Sequence, residues 1–428
     1  MNRVDLFITA ESPLALGRRR PGGSISEVET YIPGSVLRGA IASQILQQAN
    51  QSNDQPQSGD FETLFLGDTA AIFQNAYPAI AQVGTDEWSI VNDTVRVLPA
   101  TAVSSKTNPG FRSAEKGGVF DTLIDSFCRD QVQQPYEFTD PSATGEGANS
   151  QVEPYSAFYS ITNQQYCKHE VSSRFLTRVG INRRRATAEE QVLYSVAVLN
   201  ESFAERPKAA RYEHQRWRNV VYRSTVLVED TDLAIAFVDF INREPQSFRI
   251  GGSTSRGLGK VQIKAIAGTA PDSLETRVKQ FNQALEKRMS LWTIFGEHDT
   301  DLSRMYFTID LQSDAILNEN WQRTTMISAE MLEQFAGIAN SSLSLHRAYS
   351  SYDYRSGWNA AWELMKDVEL VTNRGAVYLF SVDSVEYQRW LEALKKLEEK
   401  GVGDRTVEGF GQVRICDEFH ETFREKAA

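Results

Sequence analysis

Gly251-Gly252-Ser253-Thr254-Ser255-Arg256-Gly257-Leu258-Gly259-Lys260-Val261-Gln262-Ile263 is the stretch on which the fold turns. Four glycines open a loop to unusual backbone angles and to close approach. Three hydroxyls, an Arg and a Lys decorate it, the groups that contact a phosphate backbone. The loop runs into Lys260-Val261-Gln262-Ile263-Lys264-Ala265-Ile266, which alternates polar and apolar like a half-buried strand. Nucleotide-binding glycine loops lead into a helix instead, which excludes those motifs. A shift of 152 residues, without gaps, lays Gly257-Leu258-Gly259-Lys260-Val261-Gln262-Ile263 on Gly409-Phe410-Gly411-Gln412-Val413-Arg414-Ile415. The same shift lays Thr225-Val226-Leu227-Val228 on Val377-Tyr378-Leu379-Phe380 and Gly251 on Gly403. One unit, strand–helix–Gly loop–strand, is therefore used twice.

Around the repeat, residues 3–10 read as a first strand. Tyr31-Ile32-Pro33-Gly34-Ser35 is a turn with Ser35 as helix N-cap. Val36, Leu37, Ala40, Ile41, Ile45 and Leu46 form the apolar stripe of a helix over 36–49. Arg38 in its first turn opposes the helix dipole, a conflict that a bound anion or a carboxylate would relieve. Residues 130–154, rich in Gln, Pro, Ser, Thr and Gly, suggest a long flexible insertion. A helix over 274–289 connects the halves. Residues 304–311 repeat the first strand, and a helix over 384–400 ends at Gly401. The expected fold is α+β, two ferredoxin-like, RRM-like domains with large insertions. They span 1–267 (insertions at 50–60 and 104–223) and 301–428, joined by a connector over 268–300.

The 428 residues carry a formal charge of −11, yet residues 172–223 hold eleven basic against five acidic side chains. A basic island on an acidic body suits a local anionic ligand, or else a salt-bridged face. No run of about 18 apolar residues spans a membrane. Met1–Ile8 has no long apolar stretch, so no signal peptide is expected. Three scattered cysteines, Cys128, Cys167 and Cys416, point to a reducing cytoplasm rather than a disulfide framework.

Tyr31-Ile32-Pro33-Gly34-Ser35-Val36-Leu37-Arg38-Gly39-Ala40-Ile41-Ala42 resembles the entry into the first helix of RAMP proteins, the RNA-binding subunits of CRISPR systems. Gly251–Val261 resembles their Gly-rich loop. Residues 177–195, around Arg183-Arg184-Arg185, resemble the central block of the large Cas-five-like RAMP subunit of type III-D effector complexes. The resemblance implies two RRM-like domains and binding of the crRNA at its 5′ repeat-derived tag. It also implies contact with a Cas-ten-type large subunit and Cas-seven-type backbone subunits, and through them with target RNA. Carried over, the helix-start contact falls on Ser35 and Arg38, and the loop contact on Ser253, Thr254, Ser255, Arg256 and Lys260. The second loop departs from the pattern. Asp404 and Glu408 bring acids to it, so a structural or protein-facing role is expected there.

On this reading Arg183, Arg184, Arg185, Arg38, Arg256 and Lys260 neutralise phosphates, Ser35, Ser253 and Ser255 hydrogen-bond them, and Tyr212 or Trp217 stacks a base. About six such contacts give a slope of log K against log[salt] of roughly −4. No catalytic residue, metal or cofactor is expected: Cys167-Lys168-His169 lacks the paired ligands of a structural zinc. One alternative is an RNA-cleaving RAMP enzyme using His214, or Glu27 with Glu29. Another is a mainly structural assembly subunit with an acidic surface.

Overall fold

Strand β1 (Asn2–Ala10) buries Val4, Leu6, Ile8 and Ala10 and leaves Arg3, Asp5, Phe7 and Thr9 half-buried, as alternation requires of a sheet with one covered face. The structure, a computed structural model, describes all residues except 19–26, 52–58, 68, 84–86, 114–115, 142–150, 183, 186, 206–215, 270–271, 297–299 and 360–363. The first sheet adds β2 (Ile72–Phe73), β3 (Val221–Val228) and β4 (Val261–Ala267) to β1, in the order β4-β1-β3-β2, and a fifth short strand, Tyr77–Pro78, also pairs with β3. All pairs are antiparallel, with Asn2 opposite Val228, Val4 opposite Ala267 and Phe73 opposite Val226. Helix α1 (Gly34–Gln51) lies between β1 and β2, and α2 (Thr231–Arg243) between β3 and β4. Leu37 and Ile41 of α1 and Ala234, Phe237 and Ile241 of α2 share one core with Val4, Leu6, Ile8, Val261 and Ile263. Asp230 caps α2 by accepting from the Leu233 N–H at 2.8 Å.

The second half repeats this order. Strands β5 (Met305–Leu311), β6 (Ser344–Tyr349), β7 (Val377–Val382) and β8 (Val413–Ile415) run β8-β5-β7-β6, again antiparallel. Helix α3 (Leu274–Trp292) precedes β5. Helix α4 (Ala329–Ala336) lies between β5 and β6, and α5 (Tyr387–Lys400) between β7 and β8. The sequence reading missed α4, although Ser328 caps it onto the Met331 N–H at 3.0 Å and Gly337 ends it at φ 64°.

Ser35 is not the N-cap it was expected to be. The helix already includes Gly34, whose N–H donates to the Asn75 side chain at 2.8 Å, so the cap comes from another segment. Residues between β2 and β3 build further antiparallel sheets and a helix, Leu123–Gln131. That helix packs Leu123, Ile124 and Phe127 into the second core beside Val278, Phe281 and Leu285 of α3. Arg288 of α3 forks onto Asp125 at 2.5 and 2.8 Å. The described part of 130–154 is anchored rather than loose: Tyr136 sits edge-on to Trp292 at 5.3 Å, and Arg424 donates to the Thr139 carbonyl at 2.8 Å.

This clasp closes the second sheet. Every residue of β5 and β7 is buried. Asp310 of β5 accepts from Thr308 at 2.7 Å and meets His420 at 2.9 Å, and the other His420 nitrogen lies 3.2 Å from Asp121 of the insertion. Cys128, Cys167 and Cys416 are buried free thiols. Among the described residues no helix is long and apolar enough to cross a membrane.

Candidate nucleic-acid interface

The first Gly loop closes the passage from α2 to β4. Gly251 takes φ 87°, and a Cβ there would lie 2.6 Å from the Ala15 carbonyl oxygen, so glycine is required both by angle and by space. Ser253 is left-handed at φ 57°, Thr254–Arg256 form one 3-10 turn, and Gly257 ends it at φ 84°. Thr254, Ser255, Arg256 and Lys260 are exposed and Ser253 half-exposed, whereas Leu258 is buried. Leu258 anchors the loop from below, against Ala15 and Val198.

Val198 belongs to a long hairpin, Ser173–Asn182 paired with Thr187–Leu199. Its inner face rests on the loop through Leu176, Val196 and Val198. Here Arg178 donates to the Arg256 carbonyl at 3.1 Å. The Arg256 guanidinium lies 5.7 Å over the Tyr194 ring and donates to its hydroxyl at 2.8 Å. Neither Arg178, one of the eleven basic residues of 172–223, nor Tyr194 carries a site role in the sequence reading. The strand carries no clean alternation to signal it: Phe175 and Leu176 are adjacent apolar residues, and Phe175, Val179 and Ile181 lie on the exposed face.

The remaining expected residues divide into groups. Arg184 and Arg185 are exposed at the hairpin turn, about 13 Å along the strand beyond Arg178. Arg183, Tyr212 and His214 lie outside the described residues, as does the Glu27 side chain. Trp217 is 66% exposed on a second short hairpin, opposite Ala204. Three cations counted in the island or loop are already neutralised: Arg174 by Glu201 at 2.9 Å, Arg218 by Glu205 at 2.9 Å and Lys260 by Glu11 at 2.7 Å.

Ser35 and Arg38 stand apart from the first loop. Arg38 turns inward, donating to the Phe65 carbonyl and lying 5.6 Å over the Phe65 ring. The α1 start that carries them faces the second Gly loop: a Cβ on Gly34 would collide with the Phe73 carbonyl oxygen and lie 2.8 Å from that of Glu408. The helix-start and loop residues are thus not brought together.

The second loop copies the backbone of the first. Arg405 is left-handed at φ 58°, Thr406–Glu408 form the 3-10 turn, and Gly409 ends it at φ 91°. Its charges are consumed within the protein. Asp404 accepts from Asn318 and from Arg323 at 2.8 Å. Glu408 pairs with Arg405 at 2.6 Å and lies 3.6 Å from Lys366. Burial pushes the Glu408 carboxyl up, but the Arg405 hydrogen bond and the charges of Arg405, Lys366 and Arg38 outweigh it and hold the group below the usual carboxylate range. Nearby, Arg355 joins Glu29 of the first half (2.6 Å) to Asp314 of the second, all three well buried. Glu29, weighed above as a cleavage residue, is thus held in an ion pair between the halves.

His169 is committed internally too, with its ring nitrogens 2.9 Å from the Pro78 carbonyl and 2.8 Å from Ser160, and burial lowers its pKa to about 4.

No curated protein matches this chain. Among solved structures, a chain of the type III-B Cmr-beta complex bound to cognate target RNA and AMPPnP aligns at 10% identity. It covers 92% of this chain and 89% of its own, with TM-score 0.37. A structure described as a RAMP protein binding different RNA substrates aligns at 8% identity, over 97% and 100% of the two chains, with TM-score 0.30. The family model of the RAMP superfamily matches residues 7–262, from β1 through the first Gly loop into β4. That match takes in more than half of the sequence, and the chain belongs to the RAMP superfamily.

Proposed function

We propose that this protein is a non-catalytic RNA-binding subunit of a type III CRISPR effector ribonucleoprotein, of the III-D kind, and that the first Gly loop and the hairpin above it grip the crRNA at its 5′ repeat-derived tag. The carrying observation is the exposed turn Thr254–Arg256, with Arg256 presented at the base of a hairpin whose own turn exposes Arg184 and Arg185. Membership of the RAMP superfamily and the order of four strands that the two sheets share support reading each half as a ferredoxin-like domain. The second loop, closed by internal ion pairs, serves to join the halves. Cytoplasmic location accompanies this role, with a Cas-ten-type large subunit and Cas-seven-type backbone subunits as neighbours. The commitment of Glu29 to Arg355 favours a role without cleavage.

The geometry revises the ionic count. Lys260 is paired and Arg38 points inward. If Arg178, Arg184, Arg185 and Arg256 each neutralise one phosphate, the salt slope is roughly −3 rather than −4. The test is binding of purified protein to a repeat-tagged RNA across a salt series. A slope near zero, or no binding, defeats the proposal. RNA cleavage lost on Glu29→Gln or His214→Ala would replace it with the enzymatic reading.

A further inference from the structure

We infer that Tyr194 is a positioning residue for RNA binding: it fixes the Arg256 guanidinium for a phosphate while leaving its charge unspent. The inference rests on the RNA-binding reading of the first Gly loop. Its starting point is a difference between Arg256 and other cations around it. Arg174, Arg218 and Lys260 are each held by a carboxylate, which orients the side chain but cancels its charge. The Arg256 guanidinium is held by a neutral side chain, and its main-chain carbonyl by a second cation. Its Nη1 donates to the Tyr194 hydroxyl at 2.8 Å, its guanidinium lies over the Tyr194 ring, and Arg178 ties down its carbonyl at 3.1 Å.

A long exposed arginine loses rotamer freedom when it grips a ligand, and that loss weakens binding. A neutral partner that restricts the side chain beforehand removes part of the cost without lowering the electrostatic attraction. The guanidinium has five donors in a fixed fork, so one bond to Tyr194 leaves the others for a phosphate. Tyr194 is itself fixed, because it sits in a hairpin strand opposite Arg178, between neighbours whose side chains alternate onto the loop and away from it. The hairpin and the loop thus form one grip, in which the hairpin supplies order and the loop supplies charge.

The test is a double-mutant cycle on the full chain, read by the affinity of a fluorescently labelled single-stranded RNA over a salt series. Tyr194→Phe keeps the ring and removes only the hydroxyl. It is expected to weaken binding roughly three- to tenfold with an unchanged salt slope, because no charge is lost. Arg256→Gln is expected to weaken binding and reduce the slope by about 1. In the double variant, Tyr194→Phe should add nothing to Arg256→Gln. If Arg256→Gln weakens binding but Tyr194→Phe does not, or if the two effects add, Tyr194 does not act through Arg256 and the inference falls while the RNA reading stands. If Arg256→Gln changes neither affinity nor slope, the loop is not an RNA site, and both are lost.

Discussion

Gly257 and Gly409 end equivalent turns at φ 84° and 91°, yet their surroundings are opposite. Among the described residues nothing lies within 4 Å of a Cβ built on Gly257, whereas one on Gly409 would lie 2.8 Å from the Phe73 carbonyl oxygen, 2.8 Å from Asn75 Oδ1 and 3.2 Å from Gly34 Cα. One backbone has been kept for two purposes. In the first copy the turn is presented, and among the described residues no carboxylate contacts Arg256. In the second it is docked on the first half, with Asp404, Arg405 and Glu408 closed into ion pairs. The glycines specify the shape of the turn, and the side chains between them decide whether that shape meets a ligand or another part of the chain.

The largest effect that would sharpen this contrast is at the junction beside the second loop. Arg355→Met removes the guanidinium that bridges the buried carboxylates of Glu29 and Asp314 and should cost about 3–5 kcal/mol in denaturant unfolding. A loss under about 1 kcal/mol would mean that the docked face is held by other contacts. Next, Gly409→Ala must displace backbone atoms and is expected to cost about 2–3 kcal/mol, against about 1 kcal/mol for Gly257→Ala, where only the positive φ is penalised. Equal losses at the two positions would break the comparison.

Two buried histidines give the halves opposite pH responses. The folded pKa of His169 is lowered from 6.5 to about 4 by burial, so the unfolded chain takes up the proton first. Its stabilising contribution is full above about pH 6.5 and is lost as pH falls toward 4. His420 is pushed the other way. Burial opposes its charge, but Asp310 and Asp121 outweigh burial and raise its pKa well above 6.5. Its contribution is full below about pH 6.5 and disappears as pH rises through the folded value. Urea midpoints followed against pH should therefore lose their acid limb in His169→Gln and their alkaline limb in His420→Gln. An unchanged profile in either variant contradicts the assignment for that residue.

The repeat was legible because it is written in glycines and alternating apolar residues, which report backbone angle and burial directly: Gly251 and Gly403 fall where both copies need φ near 80°. The divergence of the copies was legible too, in the acids Asp404 and Glu408. What could not be read was partnership at a distance. Lys260 looks like a phosphate ligand until Glu11 is found beside it, and Arg38 until Phe65 is. The Ser35 cap was misassigned because Asn75, forty-one residues from Gly34, supplies that hydrogen bond. Tyr194 was invisible as a site residue because its value depends on how one hairpin strand lies across a loop some sixty residues later.

The most direct test of the central claim sets the two loops against each other by salt dependence. RNA affinity is measured over a salt series for Arg256→Gln and for Arg405→Gln, which removes the equivalent loop's cation. The account predicts a slope reduced by about 1 for Arg256→Gln and unchanged for Arg405→Gln. A slope reduced only by Arg405→Gln, or equally by both, would contradict it.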